Sequence, residues 1–130
     1  MKKEIIEVPV LSAMMREFGV PCSSVTVANG FVFVAATPPV DMTTGRIVRG
    51  DIEAQTEASL NAVRLCLEAA GSSFADVVMV RIYAANVGFY KAINSVYLRH
   101  FPTDFPSRSF VPVSGWFMEF DIEIEVQAVI

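Results

Sequence analysis

The clearest periodic pattern lies at the C-terminal end of the chain. Phe120, Ile122, Ile124, Val126 and Ala128 alternate with Glu119, Asp121, Glu123, Glu125 and Gln127. Period two is the signature of a strand, here with one apolar and one acidic face. Residues 76–84 form a nearly continuous apolar run and predict a central strand. Ser24–Ala28 and Phe31–Ala36 flank Asn29-Gly30, the strongest short-range hairpin signal. Residues 4–10 predict an edge strand, because Pro9 would interrupt a central ladder. Ser109–Val113 predicts one further short strand.

Two stretches switch to helical spacing. After Asp51, a plausible N-cap followed by Glu53, the residues Ile52, Thr56, Leu60, Val63, Leu67 and Ala70 form one buried stripe, and Gly71 ends it. Phe89, Ala92, Ile93, Val96, Tyr97 and His100 share a face of a second helix that stops before Pro102. Residues 11–22, punctuated by Gly19 and Pro21, read as a loop. Residues 37–50, with Pro38, Pro39, Gly45 and Gly50, read as a loop with a short extended piece. The order β-β-β-α-β-α-β-β predicts an α+β fold, a single sheet with two helices packed on one face, in one domain spanning residues 1–130. No internal repeat or low-complexity segment is visible.

Composition changes this picture in one respect. The chain is 53% hydrophobic and 18% charged, against about 45–50% and about 25% for soluble proteins generally. No apolar run reaches the roughly 18–20 residues of a membrane span, so subunit association is the simplest way to cover the surplus, and a homo-oligomer is expected. The net charge of −4, with no basic cluster beyond Lys2 and Lys3, argues against a nucleic-acid partner. The N-terminus lacks an apolar signal-peptide core. Cys22 and Cys66 are distant and unpatterned, as expected of reduced thiols in a cytoplasmic protein. His100 is the only histidine; it is expected to be packed or hydrogen-bonded, and no protein-built metal site is expected.

Candidate chemistry sits at the C-terminal end. Arg108, in Pro106-Ser107-Arg108-Ser109, is placed just before a strand, and Glu123 follows fifteen positions later. A guanidinium fork anchors a carboxylate or phosphate at two points, and a nearby glutamate handles a water or a proton. Four acidic side chains on one strand face, spaced by roughly 6.6–7 Å, are either solvated or compensated. Arg81 and Arg108 are the candidate partners, within the subunit or across an interface.

Across nearly its whole length the chain resembles the RidA (YjgF) family of reactive-intermediate imine deaminases. The resemblance rests on the Asn-Gly hairpin with Val32-Phe33-Val34, on Gly50-Asp51-Ile52-Glu53-Ala54-Gln55-Thr56 and on Leu67-Glu68-Ala69-Ala70-Gly71-Ser72-Ser73. It continues in Asp76-Val77-Val78, Ile93-Asn94-Ser95-Val96-Tyr97, Phe101-Pro102, Pro106-Ser107-Arg108-Ser109 and Ile122-Glu123-Ile124-Glu125. It implies a chorismate-mutase-like homotrimer with sites in clefts between subunits. It also implies hydrolytic deamination of enamine or imine intermediates to 2-keto acids and ammonia, without a cofactor. Arg108 matches the arginine that grips the substrate carboxylate, Glu123 the glutamate that positions water, and Asn94 an asparagine lining the cleft.

The departures from the family pattern are local. Cys22 replaces a cleft tyrosine, Ala36 a glycine through which backbone approaches substrate, and Phe110 a small residue; Trp116 and Phe117 replace a polar turn. Cys22, Ala36 and Phe110 therefore join Arg108 and Asn94 as substrate-binding candidates in a cleft with a more apolar lining, and Cys22 is either inert or a reactive thiol. A bulkier imino acid, or an amino-muconate-like acid, fits that cleft. A non-catalytic trimeric carboxylate binder or chaperone-like regulator is the alternative, and ribonuclease activity fits the acidic chain least.

Overall fold

A computed structural model describes residues 2–130. The chain runs β1 (Glu4–Ile6), α1 (Leu11–Glu17), β2 (Val25–Ala28), β3 (Phe31–Thr37), β4 (Val40–Asp41), β5 (Arg46–Ile47), α2 (Ile52–Ala69), β6 (Val77–Ala84), α3 (Tyr90–His100), β7 (Ser107–Pro112) and β8 (Ile122–Val129). Six strands form one mixed sheet in the order β1-β2-β3-β8-β6-β7, and β4 and β5 form a separate ribbon. The α+β architecture is as the residue pattern predicts. No helix among the described residues is long and apolar enough to cross a membrane.

Local chemistry accounts for most boundaries. Asn29 (φ 53°) and Gly30 (φ 79°) adopt the left-handed pair that a two-residue hairpin turn needs, and Ala28 pairs directly with Phe31. The Asp51 carboxylate accepts from the Ala54 N–H at 2.8 Å and caps α2. At the other end Gly71 (φ 79°) lets the Ser72 N–H return to the Leu67 carbonyl at 2.8 Å. Val34, Val80, Ile82, Ile124 and Val126 of the sheet pack against Leu60, Val63, Leu67, Ile93 and Val96 of α2 and α3, all fully or almost fully buried. The opposite face stays open: Phe31 and Phe33 are 43% and 38% exposed.

The structure corrects the sequence expectations in four places. Residues 11–17 are a helix, not a loop, so there are three helices rather than two. Helix α1 has no side-chain cap, and Val10 enters it at φ 73°, so no capping motif announces it; Leu11 and Met14 carry it into the core. The short extended piece expected in the 37–50 loop is present but paired, as the two-stranded β4–β5 ribbon. Strand β7 begins at Ser107, so Arg108 lies within a strand rather than before one. Strand β8 begins at Ile122, so the acidic row contracts to Glu123 and Glu125. Asp121 instead accepts from Gln55, and Glu119 pairs with Arg49 at 3.3 Å. His100 is hydrogen-bonded as expected, to Glu57 at 2.9 Å, and packs edge-on against Phe74.

The buried Gln55 fixes where β8 starts. Its Nε2 donates to the Gly50 carbonyl at 2.9 Å and to the Asp121 carboxylate at 3.0 Å, and its Oε1 accepts from the Asp121 N–H at 2.8 Å. Gln55→Ala leaves these groups without partners, a loss of about 1–3 kcal/mol. Urea unfolding at fixed protein concentration should show that destabilisation, and an unchanged midpoint would mean the clamp is redundant.

Candidate functional site

Strand pairing decides where each candidate side chain points. Arg108 of β7 is in register with Val80 of β6, which is in register with Val126 of β8. Register partners share a face, so Arg108 leaves the sheet on the helix-covered side. Phe110, in register with Ile82, does the same. Glu123 pairs with Tyr83, and Glu125 with Arg81; both point to the open side. With strands spaced by about 4.8 Å and rising about 3.4 Å per residue, the Arg108 and Glu123 backbones lie roughly 14 Å apart. Their side chains then diverge. One subunit therefore does not bring Arg108 and Glu123 together; it carries two separate hollows.

The first hollow, of about 310 Å³, lies between α3 and the start of β7 and is lined by Asn94, Tyr97, Leu98, Phe105, Pro106 and Arg108. The Arg108 guanidinium sits 4.8 Å from the Tyr97 ring centroid and 5.6 Å from that of Tyr90, within cation–π range. Phe110 packs edge-on against Tyr90, with centroids 5.0 Å apart. Among the described residues no carboxylate lies within ion-pair distance of Arg108. Asn94 Oδ1 and the Tyr97 hydroxyl are buried without a hydrogen-bond partner. Burial pushes the Tyr97 hydroxyl above the ordinary phenol value, and Arg108 partly offsets this. Tyr97 was legible only as a buried helix residue. Its position three residues after Asn94 puts both on one helix face, and that was the available signal.

The second hollow, of about 240 Å³, includes Met14, Met15, Cys22, Ala36, Phe117 and Glu123. A β-bulge shapes it. Val34 pairs with Val126 and Thr37 with Ile124, so Ala35 and Ala36 together oppose Glu125 alone. The buried Ser59 hydroxyl donates to the Thr37 carbonyl at 2.7 Å, and Thr37 donates to the Ala35 carbonyl at 2.7 Å, which holds the bulge from beneath. Cys22 is exposed, its thiol directed to the Ser23 carbonyl at 3.4 Å. Cys66, by contrast, is buried in the core, and burial pushes its thiol up to about 12.

The two glutamates differ electrostatically. Glu125 accepts from the Tyr83 hydroxyl and lies 3.9 Å from Arg81. Of the two arginines considered for the acidic row, Arg81 therefore serves it within the subunit and Arg108 does not. Glu123 has no cationic partner among the described residues. Burial raises its carboxyl to about 7; a hydrogen bond from Trp116 pulls it down in part, and repulsion from Glu125 adds to the rise. A carboxyl poised near neutrality can both hold and release a proton at physiological pH.

The molecule is thus a mixed six-stranded sheet backed by helices, with an arginine that has no carboxylate partner among the described residues in one hollow and a neutral-range glutamate in another. The chain belongs to the endoribonuclease L-PSP family, the RidA/YjgF group, which it matches over residues 16–130. A RutC family protein of Pyrococcus horikoshii is 38% identical over 109 residues, 84% of this chain and 85% of that one. The chloroplastic Reactive Intermediate Deaminase A of Arabidopsis thaliana is 31% identical over 124 residues, 95% of this chain and 64% of that one. The crystal structure of E. coli TdcF with bound serine superposes with a TM-score of 0.87 at 28% identity, covering 98% of each chain.

Because the folded-state value of Glu123 is raised from 4.5 to about 7, its protonated form favours folding. That contribution is present below pH 4.5 and is lost as pH rises through 7. Thermal unfolding of the protein should therefore show a loss of stability between pH 5 and pH 8 that is smaller in Glu123→Gln. Parallel pH profiles for the two proteins would show that Glu123 titrates normally.

Proposed function

We propose that the protein hydrolyses 2-imino acids, or the enamines in equilibrium with them, as a homotrimer whose active clefts form between subunits. The observation that carries this reading is the first hollow. There a guanidinium without a carboxylate partner adjoins two buried polar atoms, Asn94 Oδ1 and the Tyr97 hydroxyl, that also lack partners. Buried polar groups left unpaired cost about 1–3 kcal/mol each, and a small ligand with a carboxylate acceptor and an N–H donor satisfies all three. The deaminase name of the Arabidopsis relative and the serine bound to E. coli TdcF support a ligand of that kind.

In this reading Arg108 grips the carboxylate bidentately, with the Tyr97 hydroxyl donating to it and Asn94 accepting from the imine N–H. Glu123 of the partner subunit faces C2. In its protonated form it gives a proton to the imine nitrogen, which makes C2 more electrophilic. As the carboxylate it then orients a water and takes its proton as the oxygen bonds to C2. The resulting carbinolamine loses ammonia, so imino acid and water become 2-keto acid and ammonia. No cofactor or covalent intermediate is required, and proton handling of this sort contributes about 10²–10⁴-fold. The net charge of −4 and the absence of a basic stripe disfavour RNA as substrate. If catalysis is absent, the same first hollow supports the alternative, a carboxylate-binding protein.

The test uses 2-iminopropanoate and 2-iminobutanoate generated in the cuvette by an amino-acid oxidase. Arg108→Ala and Glu123→Gln should each lower kcat/KM by about 10²-fold or more, since one removes the carboxylate anchor and the other the proton carrier. Mixing the two inactive variants during subunit assembly should restore activity, because about one quarter of random interfaces then pair an intact Arg108 with an intact Glu123. No recovery on mixing would place both residues in one subunit's site. No acceleration of any imine, with carboxylate binding abolished only in Arg108→Ala, would favour the binding protein.

A further inference from the structure

We infer that the cavity beside Glu123 is a side-chain pocket that selects imino acids with a large apolar group, branched aliphatic, thioether or aromatic, over three- and four-carbon homologues; this rests on the deaminase reading above. Arg108, Asn94 and Tyr97 supply the polar partners for the carboxylate and the nitrogen, so the third substituent of C2 lies next to Glu123. The space there is about 240 Å³. An apolar cavity of about 150 Å³ accommodates a benzene ring, so a methyl or ethyl group would leave most of this one empty.

The wall chemistry points the same way. Met14, Met15, Val20, Phe117 and Met118 surround the space, and among the described residues Glu123 is the one carboxylate that lines it. Thioethers rotate cheaply and mould to branched or flat groups alike. Cys22 contributes a small apolar surface, and the Ala36 methyl narrows the polar backbone edge of the bulge. Phe117 is 83% exposed, which places an aromatic ring at the mouth, free to cover an apolar guest. An acidic side chain is disfavoured twice, by desolvation in this lining and by the neighbouring Glu123 and Glu125.

Each additional buried methylene raises discrimination by roughly fourfold or more. The imine derived from leucine should therefore exceed that from alanine by at least about 30-fold in kcat/KM, with the imines from methionine and phenylalanine also preferred and that from glutamate rejected. Cys22→Phe, which fills the cavity from its rim, should cut the leucine-to-alanine ratio at least about tenfold. In parallel, calorimetry on the unmodified protein compares 4-methyl-2-oxopentanoate with 2-oxopropanoate, which keeps the inference testable if that variant fails to fold.

Preference for the bulky imines together with tighter binding of the bulky keto acid supports the pocket. Equal or faster turnover of the alanine-derived imine overturns it while leaving the deaminase reading intact. Selective binding of the bulky keto acid without turnover of any imine sinks the deaminase reading and keeps the apolar pocket. Neither turnover nor selective binding overturns both.

Discussion

A β-strand sends successive side chains to opposite faces, and a fixed register passes that choice from strand to strand. In the run β7-β6-β8 this single constraint assigns Arg108 to the helix side, with Val80 and Val126, and Glu123 to the open side, with Tyr83. A one-residue slip would reverse every assignment and expose the core, so the buried row of Val80, Ile82, Ile124 and Val126 locks the chemistry as firmly as it locks the fold. Arg108 and Glu123 therefore cannot converge within one subunit of this sheet. In the proposed function they meet only across an interface, and association of that kind would also cover Phe31 and Phe33 on the open face.

Within the open side, hydrogen bonding separates two otherwise equivalent carboxylates. Tyr83 and Arg81 engage Glu125, which commits it to contacts within the sheet. Glu123, two residues away, is left with burial and an indole hydrogen bond from Trp116. Trp116 in turn packs on Phe120, with ring centroids 4.9 Å apart, and Gln55 pins the Asp121 backbone that follows. The aromatic turn before β8 thus bears on the acidity of Glu123, opposing the larger effect of burial.

Features with a strong local cause were legible in the sequence. The Asn29-Gly30 turn, the Asp51 cap, the Gly71 stop and the alternation of β8 each rest on nearby chemistry, and each appears where expected. Helix α1 was not legible because its support is tertiary: no cap marks it, and Leu11 and Met14 hold it only once the core exists. The acidic row was over-read for a related reason. Alternation extends through Glu119 and Asp121, but Gln55, more than sixty residues distant, takes Asp121 off the strand. Arg108 and Glu123 were legible as candidates, whereas their divergence was not, since it depends on β6 lying between their strands. Tyr97 was legible only as a buried helix residue, because an aromatic on such a stripe is ordinarily core; the unpaired hydroxyl distinguishes it.

The positions at which the sequence resemblance implies departures from the family pattern also sort by hollow. Phe110 lies with Tyr90 beside Arg108, so its bulk bears on how the guanidinium is held: an edge-on aromatic pair stiffens the platform on which the cation rests. Cys22 and Ala36 lie with Glu123, where a thiol and a methyl in place of the phenol and glycine that the resemblance implies would make the surroundings of one carboxyl drier. Drying a carboxyl raises its proton affinity, the direction found for Glu123. The substitutions are therefore not a general erosion of a site. In the proposed function one group would bear on the carboxylate anchor and the other on the proton carrier, coupled only through the proposed interface.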